Sequence, residues 1–121
     1  MHMIKVGGSF DSAHKLRGYK GKCQYMHGHT WRFEVLLRSE CNLDKVGISI
    51  DFKLVKQWVK TIEERYDHKD LNTIFVKENP TAEVISKKIF EDLKKIVNSK
   101  VSVYKVALWE TPNNCIEYME D

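Results

Sequence analysis

Residues 27–39 alternate in character over their whole length: His27, His29, Trp31, Phe33, Val35 and Leu37 against Thr30, Arg32, Glu34 and Arg38. Successive side chains of an extended backbone point to opposite faces, so the stretch predicts a long strand with one buried face. A helical backbone would scatter the same aromatic side chains around every side. The two histidines extend the buried stripe, whose packing gives their rings a fixed platform. Three of the chain's five histidines, His14, His27 and His29, fall within sixteen residues, with Cys23 among them. His27 and His29, two apart, share a face; His14 joins them if its segment is the neighbouring strand. Three neutral imidazoles with an open position are the ligand set of a catalytic zinc site, since structural zinc sites are usually closed by four protein ligands. Cys23 is close enough in sequence to lie beside such an ion without binding it. It can equally be a small buried apolar residue.

The flanking sequence supplies the partners of this strand. Residues 2–14 read as a strand in which Ile4, Val6 and Phe10 alternate with polar residues, and Gly7-Gly8 marks a bulge or a close backbone approach. Residues 15–26 and 40–50 read as connections. Asp51 is an N-cap, followed by Phe52, Val55, Trp58, Val59, Ile62 and Tyr66 on one helical stripe ending near Tyr66. Pro80 opens a second helix, with Glu83 in its first turn and Ile85, Ile89, Leu93 and Ile96 as its stripe. Residues 101–110 predict a third strand, Thr111–Asn114 a hairpin turn, and 115–119 a short last strand. The order strand, strand, helix, helix, strand, strand implies an α+β fold: a four-stranded antiparallel sheet with two helices on one face.

A chain of 121 residues, 42% of them apolar, has the size of one domain, 1–121, and can bury a core without a disulfide or metal staple. A metal here is therefore expected to serve chemistry. On the sheet's other face, Leu36, Tyr104, Val106 and Leu108 are expected among Arg32, Glu34 and Glu110. A half-apolar face with open edges is a liability that closing several sheets into a barrel would remove, which predicts a homo-oligomer.

A net charge of +3 implies no nucleic-acid partner. The cluster Lys15, Arg17, Lys20 and Lys22 reads as an ordinary solvated loop or as a landing strip for an anionic substrate. Three cysteines, Cys23, Cys41 and Cys115, show no disulfide framework. The first ten residues lack the apolar core of a signal peptide, and no stretch reaches membrane-span length. A cytoplasmic protein is expected.

Two further elements are ambiguous. Asp67-His68 follows a helix C-terminus, where a carboxylate can orient an imidazole for proton transfer, or can merely end the helix. Glu110 is either an exposed strand-end carboxylate or a fork that accepts two parallel hydrogen bonds from an aminopyrimidine edge. Thr81, like Glu83, reads by default as a helix-start residue.

In order, Phe10-Asp11-Ser12-Ala13-His14, Cys23-x-x-x-His27-Gly28-His29, Asp51-Phe52, Asp67-His68-Lys69-Asp70-Leu71-Asn72, Pro80-Thr81-Ala82-Glu83 and Trp109-Glu110-Thr111 resemble the pattern of the 6-pyruvoyltetrahydropterin synthase superfamily across almost the whole chain. Asp11, where the commonest pattern has a small residue, departs from it. The three residues between Cys23 and His27 resemble the 6-carboxytetrahydropterin synthase branch of queuosine precursor synthesis. Another branch carries a catalytic Glu in this loop, which Gln24, Tyr25 and Met26 do not offer. The resemblance implies the tunnelling fold, with subunit sheets joined into a barrel, as a trimer or hexamer, and sites between subunits. It implies His14, His27 and His29 as Zn2+ ligands, Cys23 as general base, and Asp67 and His68 as its proton-relay partners. Glu110, with Thr111 and Thr81, is implied as the pterin anchor. The implied reaction takes 7,8-dihydroneopterin triphosphate, a small-molecule pterin triphosphate, to 6-carboxytetrahydropterin, acetaldehyde and triphosphate. Elimination of triphosphate alone, or a non-catalytic pterin- or metal-binding module, are the alternatives.

Overall fold

The computed structural model describes residues 1–120. Its central pair is β1 (His2–His14) against β2 (His27–Ser39), antiparallel and in unbroken register from His2–Ser39 to His14–His27. Ile4, Val6 and Phe10 of β1 and Trp31, Phe33, Val35 and Leu37 of β2 all enter one core. The unbroken register excludes a bulge at Gly7-Gly8. Gly8 is instead a close approach: a Cβ there would lie 2.6 Å from Phe33 Cζ and 2.7 Å from Val59 Cγ1.

Helix α1 (Phe52–Tyr66) packs over β1. Asp51 caps it by accepting a hydrogen bond from the Lys53 N–H, and Val55, Trp58, Val59, Ile62 and Tyr66 face the core. Phe52, expected on that stripe, is 59% exposed and borders an open groove beside Lys5, Val6 and Gly7 of β1. The chain then makes β3 (Lys69–Asp70), a one-turn helix α2 (Leu71–Ile74) and helix α3 (Ala82–Ile96), the last packed over β4 (Val101–Thr111) and β5 (Asn114–Tyr118). The sheet order is β3-β1-β2-β4-β5.

Several expectations need correcting. The sheet has five strands rather than four and is mixed, since β3 pairs in parallel with Ser12 and Ala13; the helices number three among the described residues. Elements of two and four residues are too short to show periodicity. Second, Val106 and Leu108 lie in the core rather than on the outer face. The ladder between β2 and β4 skips one residue, Leu37 pairing with Val103 but Leu36 with Lys105, so Tyr104 is a bulge. One extra residue inverts every side chain beyond it. Glu110, expected outward with Arg32, is thereby turned to the face that carries the histidines. Pro80 also differs in position: Thr81 is the N-cap of α3, accepting from Val84 N–H at 3.1 Å, and Pro80 precedes the helix.

Candidate metal centre and pterin site

The β1–β2 register sets His14 directly across from His27, and His29 across from Ser12. The three rings converge, with centroids 4.6 Å (His14–His27), 4.8 Å (His27–His29) and 5.1 Å (His14–His29) apart. One ligand atom from each lies within 4.8 Å of the others. His14 is 1% exposed, and its Nδ1 faces the Pro80 carbonyl at 2.7 Å, which leaves Nε2 to point into the site. His27 Nδ1 is held in the same way by the Tyr25 carbonyl at 2.8 Å. Such outer partners fix tautomer and ring orientation in metal-ligating histidines. Nε2 of His14 and of His29 is buried without a hydrogen-bond partner, and an unmet buried polar group costs about 1–3 kcal/mol. A metal ion bound to all three rings would satisfy these atoms, so the residues fit one.

The electrostatics agree. Burial lowers the pKa of His14 below the usual imidazole range; the Pro80 carbonyl opposes this and the neighbouring His27 adds to it. Burial also lowers His29, against the opposing pull of Glu110 and with help from His14 and His27. Both rings are therefore neutral at pH 7, the form in which an imidazole can bind a metal.

Beyond Arg32–Trp109 the β2–β4 ladder stops, and a cleft of about 470 Å³ opens, lined by Gly28, His29, Thr30, Glu110, Thr111 and Pro112. Glu110 is also the unpaired residue of a second bulge, where β5 pairs with Trp109 and Thr111 but skips it. Its Oε1 stands 3.4 Å from His29 Nε2, with the side chain 29% exposed. A carboxylate thus sits where the cleft meets the histidines.

Asp67 and His68 form a separate corner at the end of α1. His68 has φ 54°, a left-handed conformation that non-glycine residues seldom hold. Its N–H donates to the Asp11 carbonyl at 2.6 Å, and its Nδ1 lies 2.9 Å from Asp67 Oδ2. Asp67 Oδ1 accepts from the Asp11 N–H at 2.8 Å. That bond first, and His68 second, hold the Asp67 carboxyl below the ordinary range. The His68 side chain is 81% exposed, and among the described residues no hydrogen bond or ion pair joins this corner to the three histidines. Cys23 lies half-buried in a 3-10 turn (Lys22–Gln24), outside the group of ligand atoms.

Several contacts were not legible beforehand. The Pro80 carbonyl gives no sequence signal of its own. Arg17 of the basic loop spends its guanidinium on the carbonyls of Phe75 (3.0 Å) and Glu78 (2.6 Å). Lys15, Lys20 and Lys22 remain the cluster's cations without an ion-pair partner among the described residues.

The family model described as 6-pyruvoyl tetrahydropterin synthase matches residues 3–121. The chain belongs to that family. The membership expected from the spaced motifs is borne out, and the chain is a pterin-processing lyase of this family. Among its relatives, the 6-carboxy-5,6,7,8-tetrahydropterin synthase of Haemophilus influenzae is 34% identical, with 99% of this chain and all of the relative covered. The dihydroneopterin monophosphate aldolase of Pyrococcus furiosus is also 34% identical, covering 84% of this chain and 83% of the relative. The fold is similar to that of the 6-pyruvoyl tetrahydropterin synthase of Caenorhabditis elegans, with a TM-score of 0.88 at 27% identity, covering 99% of this chain and 96% of that one. No helix among the described residues is long and apolar enough to cross a membrane.

Proposed function

We infer that this family member is a zinc-dependent lyase converting 7,8-dihydroneopterin triphosphate to 6-carboxy-5,6,7,8-tetrahydropterin, acetaldehyde and triphosphate, a step of queuosine precursor synthesis. The observation that carries the reading is the convergence of three imidazoles, two with buried nitrogens that lack a hydrogen-bond partner, beside a cleft lined by His29 and Glu110. His14, His27 and His29 would hold the zinc, which when bound supplies a Lewis acid for the substrate's side-chain oxygens.

The chain's own residues do the remaining work. Glu110 accepts two hydrogen bonds from the aminopyrimidine edge of the pterin, fixing the ring so that its side chain reaches the histidines. Cys23 takes the proton from the carbon beside the ring. His68, held through Nδ1 by an Asp67 that stays ionised, has Nε2 free to pass protons on. Thr111 lines the pterin cleft, while the Thr81 hydroxyl oxygen serves first as a helix cap. Lys15, Lys20 and Lys22 meet the triphosphate.

The assembly belongs to the same reading. β5 is an outer strand, and β1 pairs with β3 only at Ser12 and Ala13. Subunits closing these edges into a barrel, as a trimer or hexamer, would bring the exposed Asp67–His68 corner of one chain to the histidines of another. Three free cysteines suit a reducing, cytoplasmic setting.

Incubation with 7,8-dihydroneopterin triphosphate and product identification tests the reaction. The expected products are 6-carboxytetrahydropterin and acetaldehyde. Triphosphate release without acetaldehyde would select the 6-pyruvoyl reaction, and pterin binding without turnover would make the chain a binding module. The Pyrococcus furiosus relative favours a second reading, aldolase action, for which dihydroneopterin monophosphate is the test substrate.

A further inference from the structure

Residues 15–17 carry on past the end of β1, and their two edges are used differently. On one edge Leu16 donates its backbone N–H to the Cys23 carbonyl at 2.7 Å. On the other, Lys15 and Arg17 meet two side chains where a longer β3 would have run. Asn72 Oδ1 accepts from the Lys15 N–H at 2.9 Å, and Asn72 Nδ2 donates to the Lys15 carbonyl at 3.0 Å. Asn79 repeats the pattern two residues on: Oδ1 accepts from the Arg17 N–H at 2.9 Å, and Nδ2 donates to the Arg17 carbonyl at 2.8 Å. Each amide offers the acceptor and donor that the peptide groups of an adjacent strand would offer.

We propose that Asn72 and Asn79 are positioning residues for Cys23, standing in for a missing strand so that the turn carrying the thiol is held against the chain just past the end of β1. The consequence for turnover rests on Cys23 being the base; the geometric part does not. Leu16, which holds the Cys23 carbonyl, is two residues past His14 and is bracketed by the two clamped residues. Gly18 and Gly21, both at positive φ, make the intervening loop otherwise soft. The peptide groups that the amides hold are at the surface, where water replaces a lost partner at small cost. Removing an amide therefore loosens the turn and leaves the core intact.

The test uses the full-length protein with Cys41→Ser and Cys115→Ser, which removes the two exposed thiols so that iodoacetamide reads Cys23 alone. In Asn72→Ala and Asn79→Ala, alkylation of Cys23 is expected to be about tenfold faster, with or without metal. Zinc stoichiometry should not change, and kcat should fall about tenfold with KM within about twofold. Asn79→Asp keeps the acceptor for the Arg17 N–H and loses the donor, so its alkylation rate should fall between; it decides the matter if an alanine variant does not fold. Unchanged alkylation rates overturn the proposal, whatever turnover does. Faster alkylation with unchanged kcat supports the clamp and counts against Cys23 as base. Full turnover in Cys23→Ala removes the base reading and leaves the alkylation result standing.

Discussion

The histidine platform and the Asp67–His68 corner are built in opposite ways. The platform is complete within one chain: it lies on the longest strand pair, one ring is buried, and two rings are fixed from behind by carbonyls. The corner is exposed, held at a left-handed residue and anchored to the Asp11 backbone. A ligand set needs rings fixed to a fraction of an ångström, which a packed sheet supplies. Groups that move protons need access, and strained corners of this kind cluster where function requires them.

The sharpest way to break the contrast is to remove a ligand. His27→Ala should cost at least about a thousandfold in zinc affinity, read by metal analysis after dialysis; unchanged stoichiometry would refute the ligand assignment. Cys23→Ala should keep its zinc and lose turnover by about 10²–10⁴-fold, so retained activity removes Cys23 as base. If the corner works across subunits, Cys23→Ala and His68→Ala proteins, each inactive alone, should regain activity when unfolded and refolded together; no recovery would place all the groups in one chain. Gly8→Ala should cost about 1–3 kcal/mol of stability by overpacking Phe33 and Val59, measured by urea unfolding, with no direct effect on metal binding. The smallest effect concerns pH. His14 and His29 have folded pKa values below their unfolded ones. The unfolded chain therefore takes up protons first, so metal-free stability is full above about pH 6.5 and falls as pH drops below it. A flat profile from pH 7.5 to 5.5 would mean that the rings are not buried as described.

Much of this was legible, for physical reasons that particular residues show. The alternation from His27 to Leu37 defined β2, and Asp51 marked the start of α1, because both signals are local. β3 and α2 were invisible at two and four residues, too short for periodicity. The facing of Val106, Leu108 and Glu110 was misjudged because the alternation was carried straight through Tyr104-Lys105, where the bulge moves the inward positions from Val101 and Val103 to Val106 and Leu108. The three imidazoles were legible because i and i+2 on one strand share a face. The Pro80 carbonyl and the amides of Asn72 and Asn79 were not, since a backbone acceptor or a contact across more than fifty residues has no local pattern.

The extra residue in β4 has a consequence for anyone rebuilding this protein. The pairing of β4 with β2, which sets Trp109 opposite Arg32, decides that Glu110 looks toward the histidines; the count of residues along β4 does not. Deleting Tyr104 would close the bulge and leave Leu37 opposite Val103 and Leu36 opposite Lys105, so Val106, Leu108 and Glu110 would keep the faces they have. A single-codon deletion at the bulge would therefore straighten the strand without moving the acid of the cleft.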